Sequence, residues 1–162
     1  MTRIVLGSGS PSRLDLLRRA GLDPVVPPGG AAEIPRPGET PPHLTERLAH
    51  ATATAVAATV DDAPVIGGDP VPEFDGVTDG KPHKPDLTLD MWRRVSGRAA
   101  VLPAYVATSE PLRVADAATI NGRGGWFVDH VAGHPSNWEG LSPPVLRRLL
   151  RRLDVHTVRL WT

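Results

Sequence analysis

The chain reads as an α/β protein on three observations. A short β-branched run at residues 3 to 7 ends at glycine and enters a capped helix. A second short apolar run, 64 to 70, follows an alanine-rich helix, and helical spacing then alternates with strand-like stretches to residue 162. This length suits one domain with a sizeable core better than two. We expect a single domain over 1–162, with its site at the C-terminal ends of strands.

Each element has a local reason. Residues 3 to 7 are apolar and stop at Gly7, as a buried strand does. Ser10 stands as N-cap and Pro11 as first helical residue, where a missing N–H costs nothing; Leu14, Leu17 and Ala20 follow at helical spacing and Gly21 stops the helix. Residues 24 to 42 hold seven prolines and read as an irregular loop carrying Glu33. From 43 to 59, Leu44, Leu48, Ala51 and Ala55 mark one face of a second helix. "PVIGGDP" at 64 to 70 is a short strand delivering Asp69 into a turn, and "DGVTDGKPHKP" is a loop. Leu87 to Val95 forms a short helix stopped by Gly97. Ser142 and Pro143 open an amphipathic helix with Leu146, Leu149, Leu150 and Leu153. "GWFVDHV" and "VHTVRLW" are the remaining strand candidates.

Composition narrows the function classes. Eighteen Lys plus Arg balance eighteen Asp plus Glu, so no overall field draws the chain to nucleic acid or an anionic membrane, and any bound anion must be held locally. With no cysteine, disulfides, thiolate metal sites and a Cys nucleophile are excluded. No apolar run approaches a membrane span, and "MTRIVLG" enters a strand pattern and not a signal peptide, so the expected location is cytoplasmic. Only two of the eighteen basic residues are lysines, Lys81 and Lys84, which singles each out.

Free N–H groups and the positive helix end make 7 to 13 an anion site, with Ser8, Ser10 and Arg13 as added donors; the alternative is a capped helix after a tight turn. Asp69, framed by two glycines and a proline, is a carboxylate suited to ligating Mg²⁺ or activating water, or else turn chemistry. Lys81 in "DGKP" is a phosphate lysine or an exposed turn lysine, and Glu33 is a second metal carboxylate or a solvated charge. His130 and His134 have i, i+4 spacing but flank "VAG" in an expected strand and turn, so zinc is discounted. No G-x-S-x-G elbow is present, which sets aside a serine hydrolase of that type.

Taken in order, "LGSGSPSRLDLLRRAGL", "VIGGDPV", "DGKP", "SGR", "YVATSEPL", "NGRGGWFV" and "GHPSNWEGLS" resemble the Maf family of nucleoside triphosphate pyrophosphatases. That family carries S-x-S-P-R-R, G-A-D-T, G-K-P, G-R-G and S-N-x-x-G-L-P in the same sequence of motifs. The resemblance implies a cytoplasmic, Maf/ITPase-like α/β fold with a mixed twisted sheet flanked by helices. It also implies hydrolysis of nucleoside triphosphates, modified or non-standard ones included, to monophosphate and pyrophosphate. By residue, it implies Asp69 as the proton acceptor that activates water and Ser8, Arg13 and Lys81 as phosphate contacts. Glu33 would act with Asp69 on a divalent metal cation, Mg²⁺ or Mn²⁺. It leaves a homodimer open as the assembled form.

The departures are specific. Ser12 replaces the first arginine of S-x-S-P-R-R, Pro70 replaces the threonine after the aspartate, and Asn121 replaces the glutamine before G-R-G; these are the family's specificity positions. Thr52 stands where a helix lysine is expected, and 113 to 116 read Arg-Val-Ala-Asp where the family has D-K-A-G. Between "SGR" at 96 to 98 and Tyr105 only six residues remain where the family carries two further strands, so the central segment is shortened. An alternative stays open beside the active pyrophosphatase: a degenerate Maf-like protein that binds nucleotide or a division partner without turnover and is linked to division arrest.

Overall fold

Val5 and Leu6 form the first strand because β-branched and aliphatic side chains there can bury both faces of the backbone, and both are fully buried. A computed structural model describes residues 3–28, 34, 36–69, 73–74, 77–78, 84–96, 102–114, 117, 119–131 and 133–162. The chain divides into two compact units, one made of 1–69 with 133–162 and the other of 70–132.

In the first unit, β1 (Val5–Leu6) pairs in parallel with β2 (Val65–Ile66), with Val5 opposite Val65 and Leu6 opposite Ile66. Val25 adds an isolated parallel bridge to Val5. Between β1 and this bridge runs α1 (Pro11–Arg19), with Pro at its start and Gly21 at φ +81° just past its end, as the sequence predicts. Ser10 is at the N-cap position, but its hydroxyl makes no cap bond; its N–H instead donates to Ser8 Oγ at 3.3 Å.

Helix α2 (Pro41–Ala57) begins two residues before the predicted start because Pro41 suits the first helical position after Thr40. Its buried stripe runs Leu44, Leu48 and Val56; Ala51 is half-buried and Ala55 exposed, so the predicted face is rotated at its C-terminal end. Helix α5 (Pro143–Arg151) has the predicted cap, with Ser142 Oγ accepting from Val145 N at 3.4 Å. It buries Leu146 and Leu150, while Leu149 and Leu153 face outward. The core joins Ile4, Leu6, Leu17, Leu22, Ile66, Leu146, Leu150 and Leu160.

In the second unit, β3 (Glu73–Phe74) and β4 (Val77–Thr78) form an antiparallel pair, which corrects the reading of 75 to 85 as loop throughout. Helix α3 (Pro85–Ser96) covers the predicted helix and is followed by the short α4 (Leu102–Ala107). Trp92, Tyr105 and Phe127 meet with ring centroids 5.5 to 5.7 Å apart, and Trp92 Nε1 donates to the Ala117 carbonyl at 2.7 Å.

Both remaining strand candidates are replaced by 3₁₀ turns. Residues Arg123–Phe127 turn because Gly124 lies so close to Tyr105 Oη and the Thr119 backbone that a Cβ would sit 2.6 to 2.8 Å from them. In 155 to 161 the bonds close locally instead, Val155 N to Leu150 O at 2.9 Å and Leu160 N to Thr157 O at 2.9 Å, which lets Leu160 enter the core. The fold is mixed α/β. In place of one broad twisted sheet, the described residues carry two two-stranded sheets. Among them, no helix is long and apolar enough to cross a membrane.

These contacts set three stability outcomes. Leu17, 1% exposed, should cost about 2–5 kcal/mol on Leu17→Ala in urea unfolding. Leu149, half-exposed, should cost less than about 1 kcal/mol on the same change. Glu39 is held at a pKa of about 2, below the usual 4.5, chiefly by hydrogen bonding to Arg47, 2.6 Å from Nε. A carboxylate depressed in the folded state stabilises it fully above the unfolded value and loses that contribution as pH falls from about 4.5 toward about 2. Acid titration of the melting temperature should therefore show a shallower fall over this window in Glu39→Gln than in the parent.

Candidate active site

The junction that follows β1 is built from small residues, and its outer side is open: a Cβ at the exposed Gly9 would meet nothing within 4 Å. Ser8 sits here, half-buried, and α1 carries Arg13 in its first turn, where the guanidinium is turned inward and the residue is 7% exposed. Burying an arginine is costly unless its donors are satisfied. Here Nη1 donates to Ser8 Oγ, Nε donates to the Gly140 carbonyl at 3.3 Å, and Nη2 lies 3.6 Å from Asp69 Oδ1.

Asp69 reaches this point through the two glycines that follow β2. A Cβ at Gly67 would sit 2.1 Å from the Ala49 carbonyl oxygen and 2.9 Å from Ala53 Cβ, so only glycine lets the chain pass against α2. At Gly68 the neighbour is Leu141 Cδ2 at 3.1 Å, with Arg13 Nε at 4.0 Å. The double glycine thus threads the strand end between α2 and the 140–141 turn and leaves the Asp69 side chain 16% exposed beside Arg13.

The structure therefore brings together Ser8, Arg13 and Asp69, with Ser10 adjoining through its N–H to Ser8. Glu33, Pro70 and Lys81 lie outside the described residues. Ser12 is exposed on the first turn of α1. Thr52 is informative as a departure: its Cγ2 lies 3.5 Å from where a Cβ on Gly7 would be, so the helix position expected to carry a lysine stands over the start of the Ser8 junction. Among the described residues, no three His, Asp or Glu are grouped so as to hold a metal ion.

Asn121 belongs to the second unit and is exposed. Its turn is closed around Glu110, whose carboxylate accepts from Thr119 Oγ1, from Gly124 N at 3.2 Å and from Tyr105 Oη at 3.3 Å. Burial works against ionisation of Glu110, yet the Thr119, Gly124 and Tyr105 bonds outweigh it and hold its pKa below the ordinary value.

Gly140 is the site member that single-residue reasoning did not pick out. It closes the 3₁₀ turn Pro135–Glu139 at φ +86°, and the signal for it was present in the "SNWEGL" stretch, where glycine follows a short polar turn.

Comparison with known proteins places these residues in context. The family model described as Maf-like protein matches residues 3–102 and 98–153, two stretches that overlap at the join before Tyr105. Similar curated relatives are named nucleoside triphosphate pyrophosphatase. The one from Corynebacterium aurimucosum is 37% identical over 194 positions, covering 98% of each chain. The one from Corynebacterium efficiens is 36% identical over 195 positions, covering 99% of each. The one from Streptomyces avermitilis is 38% identical over 195 positions, covering 99% of this chain and 95% of its own. These alignments are longer than the 162 residues of this chain, so they open gaps in it. On a family match that spans most of its length and on relatives of this identity, the chain belongs to the Maf-like protein family.

Proposed function

We propose that this protein hydrolyses nucleoside triphosphates between the α- and β-phosphates, releasing the monophosphate and pyrophosphate. The observation that carries the reading is the approach of Arg13, on the first turn of α1, and Asp69, after β2, 3.6 Å apart and next to Ser8. The names of the relatives support the same chemistry. The family match in two overlapping stretches supports a central segment shortened near residues 98–102, in a domain otherwise of Maf type.

The division of labour follows from the side chains. Ser8, Ser10 and Arg13 bind the phosphate chain, Arg13 by charge-assisted hydrogen bonds to oxygens that become more negative as the bond to the leaving group lengthens. Asp69 accepts a proton from water as the water oxygen bonds to the α-phosphorus and the bond to the bridging oxygen breaks, so that pyrophosphate departs with that electron pair. Lys81 completes the phosphate contacts, and Ser12, Pro70 and Asn121 set which nucleotide is accepted. The donor set suits a divalent cation of the Mg²⁺ or Mn²⁺ kind, because such ions are held by one or two carboxylates together with substrate phosphates; Asp69 and Glu33 would hold it. When bound, it supplies neutralisation of phosphate charge.

Pyrophosphate release should be measured across a panel of nucleoside triphosphates with Mg²⁺ or Mn²⁺. Asp69→Asn should lower kcat by about 10²–10⁴, and Arg13→Lys, which loses the planar fork, should raise KM by about tenfold. Nucleotide binding by calorimetry with background release from both parent and Asp69→Asn would contradict the reading and leave the non-catalytic binding protein in its place.

A further inference from the structure

The turn that ends at Gly140 is anchored at both ends and to α1. His134 caps it, with Nδ1 2.6 Å from Ser136 Oγ and accepting from Ser136 N at 3.3 Å. Inside it, Asn137 N donates to the His134 carbonyl and Gly140 N to the Asn137 carbonyl, each at 2.9 Å. Glu139 pairs with Arg19 in the last turn of α1, the helix that carries Arg13. Gly140 then takes a left-handed conformation, φ +86°, that side-chain-bearing residues adopt at a cost, β-branched ones most of all. The direction of its carbonyl follows from that conformation.

That carbonyl meets Arg13 at Nε, 3.3 Å away. A guanidinium is planar, so holding Nε fixes where Nη1 and Nη2 point. Both face the Ser8 and Asp69 side. We propose that Gly140 is a positioning residue for Arg13: its left-handed carbonyl fixes the Nε edge and so aims the Nη edge at the phosphate of the substrate. The inference rests on the reading of Arg13 as a phosphate contact. It adds that the arginine is aimed by backbone from a turn more than a hundred residues away in the chain, 127 positions on. Preorganisation of this kind raises affinity without adding a contact to the ligand.

Pyrophosphate binding to the full chain, followed by calorimetry, tests the inference separately from turnover. Gly140→Val, which disfavours the left-handed conformation and so turns the carbonyl away from Nε, should weaken it by about tenfold, whereas Gly140→Asn, which tolerates that conformation, should stay within about threefold of the parent. Glu139→Gln loosens the same turn by removing its ion pair with Arg19 and should weaken binding by about twofold; it serves if the valine variant does not fold. In an Arg13→Lys background, where no Nε–H remains to be fixed, neither Gly140→Val nor Glu139→Gln should cause a further loss. Parent-like affinity in Gly140→Val, an equal loss in the Arg13→Lys background, or parent binding indifferent to Arg13→Lys would each overturn the proposal. A parent that binds pyrophosphate through Arg13 yet releases none from triphosphates would refute the pyrophosphatase reading and leave this one standing.

Discussion

The first unit is organised around one buried guanidinium. Arg13 lies nine-tenths or more out of solvent, and a charge in that position is tolerated only when its donors are met. Arg13 meets Ser8 nearby in the chain and, from two distant stretches, Asp69 after β2 and the carbonyl of Gly140 before α5. Removing the Ser8 hydroxyl or the Asp69 carboxylate would take a polar partner from a buried cation. The same interaction that makes the unit's polar centre consistent also places a carboxylate, a hydroxyl and a cation at the ends of two adjacent parallel strands, which is where α/β folds put ligands.

What allows that convergence is the absence of side chains at chosen positions. Gly7 and Gly67 lie against α2, the first within 3.2 Å of Val56 Cγ2 through its would-be Cβ and the second against the Ala49 carbonyl. Alanines on α2 and glycines on the strand ends are thus two halves of one close approach. The helix can come near enough for Thr52 to stand beside the start of the Ser8 junction, although the two are far apart in the chain. Here sequence economy in small residues, tight packing and site geometry are a single constraint.

How far the sequence revealed this depends on where the stabilising partners lie. Helices α1, α3 and α5 were legible because proline, serine and glycine mark their ends within the element itself. The neighbourhood of Ser8, Arg13 and Asp69 was legible through β-strand ends and the ordered motifs. Residues 125 to 131 and 155 to 161 were not, because their alternation resembles a strand while the deciding contacts are tertiary: Gly124 beneath Tyr105 and Thr119, and Leu160 drawn into the core. Ser10 shows the finer limit, since its position as N-cap follows from Pro11, but its hydroxyl makes no cap bond and its N–H is bonded to Ser8 Oγ instead. Gly140 is readable as a turn glycine in "SNWEGL", but its contact with Arg13 is not, because it is made through a carbonyl, which every residue has.

On the proposed reading, Ser8, Arg13 and Asp69 form one phosphate-handling site. The most direct measurement is a crystal structure of the protein with a nucleoside triphosphate analogue whose α,β-bridging oxygen is replaced by an imido group, which resists cleavage. Phosphate oxygens are expected within hydrogen-bond distance of Ser8 and Arg13, with the α-phosphorus on the side of Asp69. A phosphate chain bound elsewhere, with the Arg13–Asp69 pair unaltered and untouched by ligand, would contradict it.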